Sequence, residues 1–311
     1  MGIRDMVNSS LRRAAGVELV RTDTLDTLKG DLDGARERAA TARANAATAR
    51  ENARNARERA KQNKAKHDKL YRYAKRQFWD IPPDYHPDMQ WIWPKVKDRT
   101  MVGHEKLNYF CDAVRYITRA GIEGDIVECG VWRGGAMLGC ALTLDQLGDH
   151  SRNLYLYDTY EGMSEPTERD VHIWHGRTAE HEMENQTNRT APIWEAGLIE
   201  DVRSAFEEVD YPKDKLHFVK GKVEDTIPQT APEKIAILRL DTDWYQSTRH
   251  ELEHLYPRLA PGGILIIDDY GSWQGSRDAA DEYLATIDEP VFLVRTGKGR
   301  AAVKPGLTSH S

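Results

Sequence analysis

Past residue 100 the chain alternates short apolar runs with amphipathic segments, a pattern that predicts parallel strands separated by helices. Five runs read as strands: Asp125–Cys129, Leu154–Asp158, Leu216–Lys220, Ile235–Leu240 and Ile264–Ile267. Leu107, Phe110, Val114 and Ile117 recur at helical spacing and predict a helix from Glu105 to Ala120. Further helices are expected up to Leu147, over Leu198–Val209, from Tyr245 to Leu259, and over Arg277–Ile287. The breaker Ala260–Gly263 is expected to close the third of these. Val291–Arg295 and Arg300–Val303 flank the turn Thr296–Gly299 and predict an antiparallel hairpin at the end of the sheet. The expected fold is α/β.

Before residue 80 the period changes. Ala35, Ala39, Ala42, Ala46, Ala49, Ala53, Ala56 and Ala60 alternate spacings of four and three, a heptad seam. Leu28 and Leu32 extend it upstream, and Leu70 and Ala74 rejoin it downstream. The period predicts a left-handed coiled coil over residues 25–79. Alanine favours helix but buries little area, so the helix forms easily and associates weakly. Homo-oligomerisation or docking is the expected role. Ahead of it, Ile3, Met6, Val7, Leu11, Ala14 and Val17 make residues 1–24 a short amphipathic segment, a candidate for peripheral membrane contact. Residues 80–311 form the remaining domain. In it, Tyr85, Trp91 and Trp93 among Pro82, Pro83, Pro87 and Pro94 suit a lid segment over 80–104 or a strap. The polar stretch 163–199, with His172, His175 and His181, reads as an insertion near the active face.

Charge sharpens this division. Arg36–Arg76 holds fourteen Lys or Arg against four Asp or Glu, within a chain of net charge -6. A basic arm therefore sits on an acidic body. No recognised DNA-reading module accompanies the arm, so nucleic acid is not an expected partner. No apolar run is long enough to span a membrane, and no signal peptide is evident. Cys111, Cys129 and Cys140 lack CxxC spacing and suit a reducing, cytoplasmic setting.

The candidate chemistry lies at strand ends. Ile235–Leu240 runs into Asp241, Thr242 and Asp243, and Ile264–Ile267 into Asp268 and Asp269. A parallel sheet binds ligands at the carboxyl ends of its strands, so both clusters would meet there. Three or four carboxylates brought together need a cation, and oxygen-only ligands point to Mg²⁺, with Mn²⁺ or Ca²⁺ as alternatives. The first strand runs into the glycine turn Gly130–Gly135, and the second ends at Asp158, where a ribose diol would be held. The turn reads Glu-x-Gly-x-x-x-Gly rather than GxGxxG, which tilts it from NAD toward S-adenosylmethionine. A closing antiparallel hairpin tilts the fold the same way, toward class I methyltransferases.

Four ordered motifs carry a resemblance. Val127–Gly135, Tyr157–Met163, Leu240–Thr248 and Ile267–Tyr270 resemble the macrocin O-methyltransferase family, over about Arg99–Val303. The resemblance implies a Rossmann-like class I methyltransferase that uses S-adenosylmethionine and Mg²⁺ on sugar hydroxyls. It implies Asp241, Asp268 and Asp269 as metal ligands, Asp241 also as base. It places Glu128, Gly130, Trp132, Gly134, Asp158, Thr159, Gly221 and Val223 around the cofactor, with Thr100 and Met101 closing over it. Trp244 stands where catechol O-methyltransferases carry a lysine base. The expected activity is therefore metal-dependent O-methylation of a sugar hydroxyl in a glycoside, glycolipid or polysaccharide precursor. The rivals are an NAD(P)-linked oxidoreductase and a coiled-coil scaffold with a vestigial methyltransferase domain.

Overall fold

The computed structural model describes residues 27–64, 81–184, 197–288 and 290–306. The amphipathic segment 1–24, the downstream seam residues Leu70 and Ala74, and part of the 163–199 insertion lie outside them. The chain divides into two units, Met1–Gln77 and Phe78–Ser311.

In the first unit, residues 27–64 form one continuous helix, α1, with Leu28 and Leu32 more than half exposed. The position after each of Leu28, Ala35, Ala42, Ala49, Ala56 and Asn63 is Lys29, Arg36, Arg43, Arg50, Arg57 and Lys64. An unbroken column of cations thus borders the alanine seam. Two copies side by side would set that column against itself or against the opposite border of the seam, Asp31, Arg38, Asn45, Asn52 and Arg59.

The second unit is a seven-stranded sheet in the order β3-β2-β1-β4-β5-β7-β6. Its strands are β1 (Asp125–Cys129), β2 (Leu154–Asp158), β3 (Leu216–Lys220), β4 (Ile235–Leu240), β5 (Leu259–Ile267), β6 (Val294–Thr296) and β7 (Gly299–Val303). β1 to β5 are mutually parallel, and β7 runs antiparallel to both β5 and β6, the expected closing hairpin. Successive residues of a strand face opposite sides of the sheet. Ile126, Ile237, Ile264 and Ile266 pack under α2 (Met89–Val96), α3 (His104–Ala120) and α4 (Gly135–Leu147). Val127, Leu238, Leu240, Leu265 and Ile267 pack under α5 (Tyr245–Leu255) and α6 (Gln274–Leu284). Strand order reverses between β1 and β4, which opens a crevice at their carboxyl ends.

Two boundaries differ most from expectation. The helix from Tyr245 ends at Leu255, a 3₁₀ turn covers Tyr256–Arg258, and β5 begins at Leu259. The supposed breaker Ala260–Gly263 is a bulge inside that strand: Ile235 pairs with Leu259 and Ile237 with Ile264. Gly262 has φ +79° and donates its N–H to Lys304, while Lys304 donates back to Gly263. The prolines of residues 80–104 do not exclude helix either, since Pro94 lies inside α2. Met89, Ile92, Trp93 and Val96 are all buried on its inner face. Burying them, at about 1.5–3 kcal/mol each, outweighs the ~3 kcal/mol an internal proline costs.

Candidate active site

Strand alternation assembles the site. Glu128 of β1 and Arg239 of β4 are register partners, and both lie on the α3 side with Asp241 and Asp268 following the same parity. Arg239 is 2% exposed and its guanidinium serves three acids. One terminal nitrogen meets Glu128 and, at 2.8 Å, Asp241; the other meets Asp268 Oδ1 at 2.8 Å. From above, Lys106 in the first turn of α3 holds the other oxygen of Asp268. Asp241 keeps part of its carboxylate at the cavity, with its side chain 24% exposed.

Asp269 and Asp243 complete the cluster, so five carboxyls face two fixed cations. The imbalance registers in their acidity. Burial pushes Asp241 up to about 6, against the pull of Arg239, and pushes Asp243 up to about 7 with Asp241 adding repulsion. Asp269 rises well above the ordinary range, through burial first and then Asp243 and Asp241. Asp268 alone is lowered, because Arg239 and Lys106 together outweigh its burial. Asp269 Oδ2 is buried with no hydrogen-bond partner. One oxygen each from Asp241, Asp268 and Asp269 lie within 4.8 Å of one another. An orphaned buried oxygen among all-oxygen donors with excess negative charge fits a hard divalent cation.

The cluster forms the floor of a cavity of about 660 Å³. Met101, Gly130, Trp132, Asp158, Thr159, Gly221 and Val223 line it, as do Asp241, Asp243, Asp268 and Asp269. Thr100, Glu128 and Gly134 do not. Thr100 accepts the Val102 N–H, Glu128 is buried against Arg239, and Gly134 packs on Val202. These three shape the wall from behind.

The N–H groups of the glycine turn are taken up within the protein. Asp158 Oδ2 accepts the N–H groups of Val131 and Trp132, both at 2.9 Å, and Oδ1 accepts that of Tyr160. Gly130 donates to Tyr157, Gly134 to Val131 and Gly135 to Arg99. Asp158 therefore fixes the loop in addition to facing the cavity. Gly130 has φ +83°, and a Cβ there would stand 2.0 Å from the Asp241 carbonyl oxygen. Gly130→Ala is expected to cost roughly 2–5 kcal/mol from the left-handed backbone and the forced separation of β1 from β4. Urea denaturation measures it, and a cost below about 1 kcal/mol would show that the two loops part freely.

Lys106 and Arg239 were not singled out by sequence, and neither was Lys298, which lines the cavity from the β6–β7 turn; Asp243 stood out only as a fourth carboxylate. A lone Glu in one buried run and a lone Arg in another were the available signal for the Glu128–Arg239 pair. Lys106 gave none, being separated from Asp268 by 162 residues. Of the insertion histidines, His172 reaches the cavity, whereas His175 and His181 do not line it.

Known proteins share this arrangement of sequence. The macrocin O-methyltransferase family profile (TylF) matches residues 23–296. The chain is 36% identical over 227 residues to 8-demethyl-8-(2,3-dimethoxy-alpha-L-rhamnosyl)-tetracenomycin-C 4'-O-methyltransferase of Streptomyces olivaceus, covering 71% of this chain and 83% of that one. It is 34% identical to mycinamicin III 3''-O-methyltransferase of Micromonospora griseorubida, covering 64% and 76%. Among solved structures, the O-methyltransferase NovP superposes with a TM-score of 0.58 at 30% identity, covering 67% of this chain and 82% of NovP.

Proposed function

The chain belongs to the macrocin O-methyltransferase family, and from that premise we propose that it methylates a sugar hydroxyl of a glycoside, glycolipid or polysaccharide precursor, using S-adenosylmethionine and Mg²⁺. The carrying observation is the convergence of Asp241, Asp268 and Asp269 oxygens within 4.8 Å on the floor of the cavity that the glycine turn walls. By their names, the relatives above are the 4'-O-methyltransferase of a rhamnosyl-tetracenomycin C and the 3''-O-methyltransferase of mycinamicin III.

In this reading Gly130, Trp132, Asp158, Thr159, Gly221 and Val223 surround the methyl donor, with Met101 at the rim. Thr100, Glu128 and Gly134 hold that wall in shape. Asp241, Asp268 and Asp269 hold the cation. When bound, the sulfonium supplies an electrophilic methyl group, and Mg²⁺ lowers the pKa of the acceptor hydroxyl and aligns its oxygen. Asp241 takes the hydroxyl proton. Its side chain, 24% exposed, is the open one of the three at the cavity, within reach of a bound acceptor. Arg239 fixes its orientation. Adjacent sugar hydroxyls suit a chelating site, which favours a diol acceptor.

An NAD(P)-linked reaction would need amide donors for a diphosphate. The turn's N–H groups at Gly130, Val131, Trp132, Gly134 and Gly135 are already bonded within the protein. S-adenosylmethionine carries no phosphate and makes no such demand.

Calorimetry with S-adenosylmethionine, with and without Mg²⁺, tests the proposal. Cofactor heat is expected in both conditions, and a separate Mg²⁺ heat should vanish in Asp268→Ala/Asp269→Ala. Absence of any cofactor heat would sink the methyltransferase reading, and an unchanged Mg²⁺ heat the metal assignment.

A further inference from the structure

The loop 171–178 stands beside the acidic floor and presents one side chain to the cavity. Val171 and Thr178 form a bridge, and His172 donates its N–H to Arg177 at 2.8 Å. The loop is laid along the turn after Asp269. Ile173 donates to Ser272 at 2.8 Å, Gln274 to Val171 at 2.8 Å, and the Trp174 indole to Gly271 at 2.9 Å. The backbone of His172 is thus held from both sides, on rigid neighbours.

Its ring is held as well. The Trp174 N–H donates to His172 Nδ1 at 3.3 Å. His175 stacks on one face, centroids 3.8 Å apart and 4° from parallel, and Trp273 meets the ring edge-on at 5.2 Å. His175 is itself steadied by Glu182, 3.8 Å away. A neutral imidazole whose Nδ1 accepts must carry its proton on Nε2. A second proton, on Nδ1, would confront the Trp174 N–H and set a cation beside His175 and Lys298. Burial, His175 and Lys298 each hold the ring neutral, and Glu182 is the acid opposing them. Among the described residues, no hydrogen bond engages Nε2 of this cavity-lining ring.

We propose that His172 is a positioning residue of the acceptor site, its Nε2–H donating a hydrogen bond to a hydroxyl or ring oxygen of the bound sugar. It is a fixed donor and not the base. The assignment rests on the sugar-acceptor reading above.

The test uses full-length protein labelled with [¹⁵N]histidine, loaded with S-adenosylhomocysteine and Mg²⁺, and titrated with methyl α-L-rhamnopyranoside. Long-range ¹H–¹⁵N spectra, with His172 assigned by its loss in His172→Gln, are expected to show the Nε2–H tautomer at pH 7. The glycoside should move the Nε2 signal. His172→Ala should weaken glycoside binding by about 3- to 10-fold, the loss of one neutral hydrogen bond. His172→Gln, which retains a donor, should recover most of it. The Nδ1–H tautomer, a cationic ring, or wild-type affinity in His172→Ala would each overturn the assignment. Failure of the wild type to bind glycoside while S-adenosylhomocysteine binds would overturn the acceptor reading and this ligand with it. Failure to bind S-adenosylhomocysteine would overturn the methyltransferase reading beneath both.

Discussion

Replacing Arg239 with leucine is expected to destabilise the body by about 3–5 kcal/mol, the largest loss anticipated from any single side chain. The guanidinium is buried and pairs at once with Glu128, Asp241 and Asp268. Leucine fills part of the volume but leaves three acids in a low-dielectric setting with only Lys106 nearby. Burial already raises Glu128 to about 8 and Asp241 to about 6; without Arg239 both rise further, and Asp268, now held low by Arg239 and Lys106, rises as well. The folded state then binds more protons, so stability falls as pH rises and recovers toward pH 4–5. Urea denaturation at pH 7 and pH 5 should therefore give a larger deficit at pH 7. Arg239→Lys keeps the charge but loses the planar fork that reaches both Asp241 and Asp268, and should fall between wild type and leucine. A leucine variant within about 1 kcal/mol of wild type at pH 7 would show that these acids are already neutral and that Arg239 holds nothing together.

That pairing also marks how far the sequence could be read. Strand positions were legible because parallel strands buried on both faces need largely apolar runs, and β1, β2 and β4 fall where those runs do. The two acidic strand ends were legible for the same reason: the run stops where water or a ligand begins. The bulge at Ala260–Gly263 was not, since Pro-Gly-Gly is turn chemistry until Lys304, far along the chain, supplies its backbone partners. The role of Asp158 was half legible. Its strand-end position suggested a ligand contact, but only the folded loop reveals that it accepts two amides of the glycine turn. Lys106 and Lys298 arrive from α3 and from the closing hairpin, elements whose own patterns concern packing. A side chain brought in by tertiary contact alone leaves no local trace. Asp243 is intermediate: it was seen as a fourth carboxylate, yet its φ of +66°, which turns the chain at the cavity floor, is visible only in three dimensions.

Asp241→Asn is expected to lower kcat/KM by about 10²- to 10⁴-fold, the range of a positioned general base, while S-adenosylmethionine affinity stays unchanged. Asparagine is nearly isosteric and keeps an oxygen for Arg239, so the fold and the opposite wall of the cavity are preserved. What disappears is the negative charge shared by two roles, cation ligand and proton acceptor. Titrating Mg²⁺ separates them. If the cation role dominates, high Mg²⁺ restores most of the rate; if the base role dominates, saturating Mg²⁺ leaves kcat low. Release of S-adenosylhomocysteine with an acceptor that the wild type methylates is the readout. Asp243→Asn supplies the contrast, because its carboxyl also lines the cavity and its pKa is pushed up to about 7. An Asp243 variant that loses kcat at saturating Mg²⁺, beside an Asp241 variant that Mg²⁺ rescues, would move the base to Asp243 and leave Asp241 as a ligand. Full activity in Asp241→Asn at ordinary Mg²⁺ would remove the acidic floor from the chemistry altogether, since its central, best-oriented carboxylate would then do nothing that an amide cannot.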